Sequence, residues 1–149
     1  MKKTIVIIFC FIAFIVFTIF LIGCSKNSKV DVIKRIEKNW NVSLPTDMKE
    51  EYNYYSPTFT GRADQYAVFS YTDSSLEKLN SMFDFKQKDE DLTSELESYY
   101  SIKNQSKSEI DKKYILDFTK NYTYYVVDKA VWLIINESDK TLTIYIKGY

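Results

Sequence analysis

The chain contains no histidine, and both of its cysteines, Cys10 and Cys24, lie within the first 24 residues. The region after Cys24 therefore has neither an imidazole nor a thiol. This excludes Ser-His-Asp and Cys-His catalytic arrangements and argues against a zinc site. Glycine is also scarce, since only Gly61 and Gly148 follow Cys24, and no glycine-rich loop can hold a phosphate group. These absences predict a protein that is not an enzyme and that binds no metal or cofactor.

Neither sign of charge dominates the chain, because 20 Lys and Arg residues balance 20 Asp and Glu residues. A chain without a basic excess is not expected to bind nucleic acid. The acidic run Asp89-Glu90-Asp91 offers oxygen ligands for Ca²⁺, but it lacks the spacing and the glycine of an EF-hand loop. We interpret it as a solvated charge run. Paired carboxylates could also hydrolyse glycosides, although no motif selects such a pair.

One long hydrophobic run is present, and it lies at the N-terminus. Lys2 and Lys3 precede an apolar segment from Ile5 to Ile22, a layout typical of a secretory signal peptide. The alternative interpretation is an uncleaved transmembrane anchor, because a helix needs about 17–25 apolar residues to span a bilayer and this segment reaches the lower limit. Both interpretations predict an apolar helix ahead of the folded domain and a remainder that lies outside the cytoplasm.

The four residues at the end of this run, Leu21-Ile22-Gly23-Cys24, resemble the lipobox of bacterial lipoproteins. The resemblance implies that Cys24 is diacylated on sulfur, with chains such as palmitate, and becomes the first residue of the mature protein. It also implies a lipid anchor on the extracytoplasmic face of the cell membrane. We therefore expect a lipoprotein signal peptide over 1–23, a lipidated tether over 24–29 and a single α+β domain over 30–149.

The predicted tether limits where the domain can lie. The residues from Ser25 to Lys29 are mostly polar, and five residues extend about 17 Å at most. The domain is therefore expected to stay close to the membrane and not to extend far into a cell wall.

Apolar spacing predicts helices in the first two thirds of the domain. One is expected from Val30 to Trp40, where apolar residues recur at helical spacing, and a second after the capping residues Asp73-Ser74-Ser75. The polar region 84–113 is short of apolar residues and predicts a third helix that is exposed.

Runs rich in β-branched and aromatic residues predict the strands. The segment from Val131 to Ile135 is apolar throughout, as expected of a central strand that is covered on both faces. The segment from Thr141 to Lys147 alternates between apolar and polar residues and predicts a half-buried strand. The remaining predicted strands are 51–56, 65–72, 114–118 and 122–127.

This order of elements predicts an α+β fold, with a mainly antiparallel sheet and helices packed on one face. A cone-like sheet with an N-terminal helix, as in NTF2-like domains, is the alternative. The lipobox, the helix ending near Trp40, Leu44-Pro45, the turn at Gly61 and the β-rich C-terminus together resemble small uncharacterised lipoproteins of low-GC Gram-positive bacteria. That resemblance brings no catalytic residues with it.

Tyrosine is abundant, with 13 residues, and many of them lie in predicted strands at a period of two. Exposed on one sheet face, these side chains would form a contact surface for an envelope protein or a glycan, because tyrosine combines apolar area with a polar tip. Tyr54, Tyr124 and Tyr145 are the candidates for such a binding surface. The other interpretation is that tyrosine, a favoured strand residue, fills half-buried positions.

The sequence therefore favours a membrane-anchored extracytoplasmic lipoprotein that acts as a non-enzymatic binding module. An envelope protein or a glycan is the expected partner. The alternatives are an immunity or inhibitor lipoprotein and a carboxylate-based hydrolase of wall glycans.

Overall fold

The computed structural model of the protein describes residues 31–57, 63–105 and 110–148. The predicted signal peptide over 1–23, the tether over 24–29 and the lipidated Cys24 lie outside the described residues. Within the described ranges, no helix is long and apolar enough to cross a bilayer.

The described residues form an α+β fold around one six-stranded sheet. Its strands are β1 (Lys49–Pro57), β2 (Ala63–Ser70), β3 (Lys86–Gln87), β4 (Thr123–Val127), β5 (Val131–Asn136) and β6 (Thr141–Ile146). They lie in the order β1-β2-β6-β5-β4-β3, and every neighbouring pair is antiparallel. The prediction of an α+β fold with a mainly antiparallel sheet is confirmed.

Three α-helices accompany the sheet in the described residues: α1 (Val32–Trp40), α2 (Asp73–Met82) and α3 (Glu90–Gln105). The first turn of α1 is capped by Asp31, whose carboxylate accepts hydrogen bonds from the backbone N–H groups of Ile33 and Lys34. The first turn of α2 is closed by a capping box between Thr72 and Ser75.

Most of the predicted elements are present, with shifted ends. The predicted helices at 30–40 and after residue 73 correspond to α1 and α2, and five of the six predicted strands are confirmed. The prediction of a strand over 114–118 is wrong, because the segment begins with a 3₁₀ turn at Lys112–Tyr114 and continues without regular structure to residue 122. The carboxylate of Asp111 caps this turn by accepting a hydrogen bond from the backbone N–H of Lys113.

Helices cover both faces of the sheet, so the prediction that they pack on one face is wrong. A first core contains Val32 and Ile36 of α1 together with Leu79 of α2. A second core, on the opposite face, contains Leu92 and Leu96 of α3. The predicted third helix is present as α3, but its predicted exposure is wrong, because one of its sides is buried in the second core.

Strand β5 shows why both faces need a cover. Val131, Leu133 and Ile135 belong to the first core, whereas Trp132 and Ile134 belong to the second. All six residues of this strand are buried, which confirms the predicted central strand.

Strand β6 was expected to be half-buried, and this prediction is wrong. Its polar-looking face carries Thr143 and Tyr145, which are 2% and 3% exposed. The ring of Tyr145 lies 4.4 Å from that of Tyr99 in α3 and 5.1 Å from that of Trp132 in β5, measured between centroids. Aromatic packing under α3 therefore buries a face that the sequence pattern alone assigns to solvent.

The cover provided by α3 can be tested by truncating one of its buried side chains. Leu96 is fully buried in the second core, so we expect Leu96→Ala to lower the free energy of unfolding by about 2–5 kcal/mol. The matched control is Glu97→Ala, at the next and exposed position, which should change it by no more than about 0.5 kcal/mol. Urea unfolding measures both variants. Equal effects of the two substitutions would mean that α3 does not cover the sheet.

Candidate functional site

The face of the sheet that carries the second core, here called the second face, changes from aromatic to polar along its strands. At one end Tyr145 of β6 lies between Tyr66 of β2 and Trp132 of β5. At the other end the corresponding row consists of Ser70, Thr141 and Asn136. Side chains four residues apart in a strand point to the same face, so both rows lie on the second face.

A cleft of about 450 Å³ lies over the polar row. None of the α3 side chains that the structure describes lines it. One side of the cleft, here called the wall, is formed by segment 113–117 with Lys120 and Tyr122. The rim is completed by Glu51 of β1 and by Asp139 in the β5–β6 turn. The floor consists of Val68, Ser70, Asn136, Thr141 and Thr143. The volume lies within the range of about 300–1,000 Å³ that is usual for small-molecule sites.

The wall of the cleft is held in place by hydrogen bonds from beneath. The ammonium group of Lys88 donates to the carbonyl oxygen of Phe118 at 2.7 Å and to that of Lys120. The hydroxyl of Tyr122 donates to the carbonyl oxygen of Asp117, which also accepts from the backbone N–H of Lys120 at 2.9 Å. A charged donor shared by two carbonyl groups gives this irregular segment a defined shape.

An ion pair closes one part of the rim. The ammonium nitrogen of Lys120 lies 2.6 Å from a carboxylate oxygen of Asp139, which also accepts from the side-chain amide of Asn136 at 2.9 Å. The hydrogen bond that Lys120 donates to Asp139 lowers the pKa of Asp139 and raises the pKa of Lys120. The two side chains are 40% and 46% exposed, so solvent screens the pair, which contributes little to stability and mainly fixes the rim.

The opposite rim depends on a β-bulge in β1. The register with β2 shifts between Glu50 and Tyr52, which makes Glu51 the extra residue. The carboxylate of Glu51 accepts hydrogen bonds from Lys49 at 3.0 Å and from the hydroxyl of Ser70 at 2.9 Å. These two bonds lower the pKa of Glu51.

Aromatic contacts attach the wall to β1. The ring of Tyr114 stacks on that of Tyr52 with 4.7 Å between centroids, and the ammonium nitrogen of Lys113 lies 5.0 Å from the centroid of Tyr114. The hydroxyl of Tyr52 also accepts a hydrogen bond from the backbone N–H of Asp111. Segment 111–114 is therefore fixed at both the backbone and the ring.

The tyrosines predicted as a binding surface are not brought together on a free face. Tyr54 is half-buried, and Tyr145 lies beneath α3. Tyr124 is 9% exposed, and its hydroxyl donates to Asp89, which raises the pKa of Tyr124 to about 12. The expected exposure of Tyr124 and Tyr145 is wrong, because both rings belong to the second core.

The acidic run Asp89-Glu90-Asp91 begins α3. The carboxylate of Asp89 caps the helix by accepting a hydrogen bond from the backbone N–H of Leu92 at 2.9 Å. Among the described residues, no group of three or more acidic or cysteine side chains could hold a metal ion.

Sequence reasoning did not identify the cleft. The alternation of apolar and polar residues in β6 places Thr141 and Thr143 on one face of the sheet. This pattern was the only sequence feature that indicated the floor of the cleft. The wall gave no signal, because Asp117 lies in the segment 114–118 that is predicted as a strand, and Lys120 follows it in a stretch without periodicity.

No protein-family model matches the chain, and no curated protein or solved structure matches it either.

The ion pair at the rim predicts a measurable pKa difference. Replacing the cation in Lys120→Gln should raise the pKa of Asp139 toward its ordinary value of about 3.9. The control is Lys147→Gln, because Lys147 pairs with Glu95 away from the cleft. NMR titration of the Asp139 side-chain carboxyl carbon measures both variants. An Asp139 pKa that is unaffected by Lys120→Gln would contradict the pairing.

The same ion pair has a defined pH dependence. Because the pKa of Asp139 is lowered in the folded state, its carboxylate stabilises the fold above the unfolded-state pKa of about 3.9. This contribution disappears as the pH falls through the folded-state pKa, and Lys120→Gln should reduce it, because Ser138 and Asn136 also hydrogen-bond to Asp139.

Proposed function

We propose that the protein is a lipid-anchored, non-enzymatic binding protein of the cell envelope, with the cleft as its binding site. The ligand we propose is an uncharged segment of a glycan. The cleft carries the binding part of this proposal, because it is a concave site with a polar floor and a fixed wall.

The lipobox supports the anchor. In this proposal Cys24 carries the lipid on the extracytoplasmic face of the membrane, and the described fold begins at Asp31, seven residues later. The core of the described fold is built from side-chain packing on both faces of the sheet. This agrees with a tethering role for Cys24 that is separate from folding.

The size of the cleft favours a small polar chain over a folded protein. A volume of about 450 Å³ can hold a short oligomer, whereas protein partners usually meet on surfaces of about 800 Å² a side. Peptides are often bound through the free backbone groups of an edge strand. The cleft floor instead lies on β2, β6 and β5, which pair with one another inside the sheet.

The chemistry of the lining favours hydroxyl groups on the ligand. The floor is lined by the hydroxyls of Ser70, Thr141 and Thr143 and by the amide of Asn136. Ser70 donates to Glu51 and the Asn136 amide donates to Asp139, so the half-buried hydroxyl of Thr141 is the floor group best placed to donate to a ligand. The rim carries charges of both signs, and two of its acids are already paired, Glu51 with Lys49 and Asp139 with Lys120. An uncharged, hydroxyl-rich ligand can hydrogen-bond to such a site without leaving a buried charge unpaired.

The pKa directions in the cleft support binding over glycoside hydrolysis. Hydrogen bonds from Lys49, Thr119 and Lys120 lower the pKa values of Glu51, Asp117 and Asp139 respectively. A glycosidase needs one carboxylic acid that remains protonated near neutral pH, which requires a raised pKa. The three carboxylates therefore suit hydrogen-bond acceptance from ligand hydroxyls.

Chemical-shift mapping on the full chain in detergent micelles tests the ligand class. We expect a tetramer of β-1,4-linked N-acetylglucosamine to shift the amide signals of Ser70, Thr141 and Asn136. Thr141→Val should weaken binding about three- to tenfold, because it removes one hydroxyl and keeps the side-chain shape. Thr46→Val, at an exposed position outside the cleft, should leave the affinity unchanged.

Two results would contradict the proposed ligand. One is that the tetramer shifts no cleft amide, and the other is that an anionic polyglycerol phosphate or an alanine-rich peptide binds the cleft in its place. Equal weakening by Thr141→Val and Thr46→Val would place the binding site elsewhere.

A further inference from the structure

We infer that the cleft opens away from the membrane, so that its ligand reaches it from the aqueous side. The inference rests on the proposed anchor at Cys24. It adds an orientation that the anchor alone does not determine, because a tethered domain could present either end to the lipid.

Helix α1 is attached through Arg35 to one end of the sheet, here called the Ala63 end. The guanidinium group of Arg35 donates hydrogen bonds to the carbonyl oxygen of Ala63 at 2.8 Å and to the side chain of Gln65 at 3.1 Å. Both partners lie at the start of β2. Asp31 precedes Arg35 by about one helical turn, or about 6 Å along the axis of α1.

The cleft lies at the opposite end of the same strand. Its floor includes Ser70, the last residue of β2, seven positions after Ala63. At about 3.3 Å per residue these two positions are about 23 Å apart. The cleft also lies on the second face of the sheet, whereas α1 packs on the first face. Strand direction and sheet face therefore both separate the cleft from the point where the tether begins.

The reach of the tether then decides between the two orientations. The seven residues from Cys24 to Asp31 span about 25 Å at most. If the cleft faced the lipid, the contact of Arg35 with Ala63 would stand about one strand length above the surface, and the tether would have to span most of its reach. A chain confined in that way loses most of its conformational freedom. With the Ala63 end toward the membrane, Arg35 lies on the side of the anchor, and a span well below about 25 Å is enough.

This orientation limits the kind of ligand that the cleft can take. Lipid headgroups and membrane-embedded segments lie on the wrong side. A glycan of the envelope, outside the membrane, lies on the side where the cleft opens.

The position of two labels above a membrane tests the orientation. After processing at Cys24 and its lipidation, an introduced cysteine is the only free thiol in the chain. Ser138→Cys places a fluorophore in the exposed β5–β6 turn at the cleft end, and Lys129→Cys places one in the exposed β4–β5 turn at the Ala63 end. The lipidated full-length products are reconstituted in lipid nanodiscs that carry an acceptor dye on their headgroups.

We expect energy transfer to place the Lys129→Cys label about 20 Å nearer the membrane surface than the Ser138→Cys label. Equal heights, or a lower Ser138→Cys label, would overturn the inference while leaving the anchor intact. A protein that does not associate with the nanodiscs would instead contradict the proposed anchor, and the inference with it. Unchanged thermal unfolding of both labelled proteins serves as the control for folding.

Discussion

The fold depends on a sheet whose central strands are apolar on both faces. Strand β5 is buried along its whole length, and β6 along most of it, so neither face can be left to solvent. Helices α1 and α2 cover the first face, and α3 with the following irregular segment covers the second. Because the row Ser70, Thr141 and Asn136 at one end of the second face is polar, that end tolerates an open cleft.

Two consecutive residues after β3 organise the second face. Asp89 caps α3 and accepts a hydrogen bond from Tyr124, which fixes the start of the helix against β4. Lys88 holds the wall of the cleft through the carbonyl groups of Phe118 and Lys120. Two adjacent residues therefore position both parts of the second face: Asp89 positions α3 over the aromatic end, and Lys88 positions the wall beside the polar end. Both depend on charge-assisted hydrogen bonds, which are stronger than neutral ones.

The sequence was informative where periodicity is strong and local. The spacing in α1 and the continuous apolar run of β5 led to correct elements, because burial of one stripe or of both faces leaves a readable pattern. The burial of α3 could not be read in this way, because Tyr99 and Tyr100 complete its buried side and lie among polar and charged residues. The wall segment was missed because its shape depends on Lys88, about thirty residues earlier in the chain. Of the three tyrosines predicted as a contact surface, Tyr124 and Tyr145 are core residues and Tyr54 is half-buried, since strand preference and surface binding favour the same residue type.

The proposed location of the protein rests on lipidation of the Cys24 thiol, and intact mass spectrometry of the protein extracted from membranes tests this proposal most directly. The account predicts a chain that begins at Cys24 and carries a diacylglyceryl group. In Cys24→Ala it predicts an unmodified protein that is unprocessed or shed, with a domain that still folds. An unmodified wild-type chain that retains residues 1–23 would contradict it and favour the transmembrane anchor.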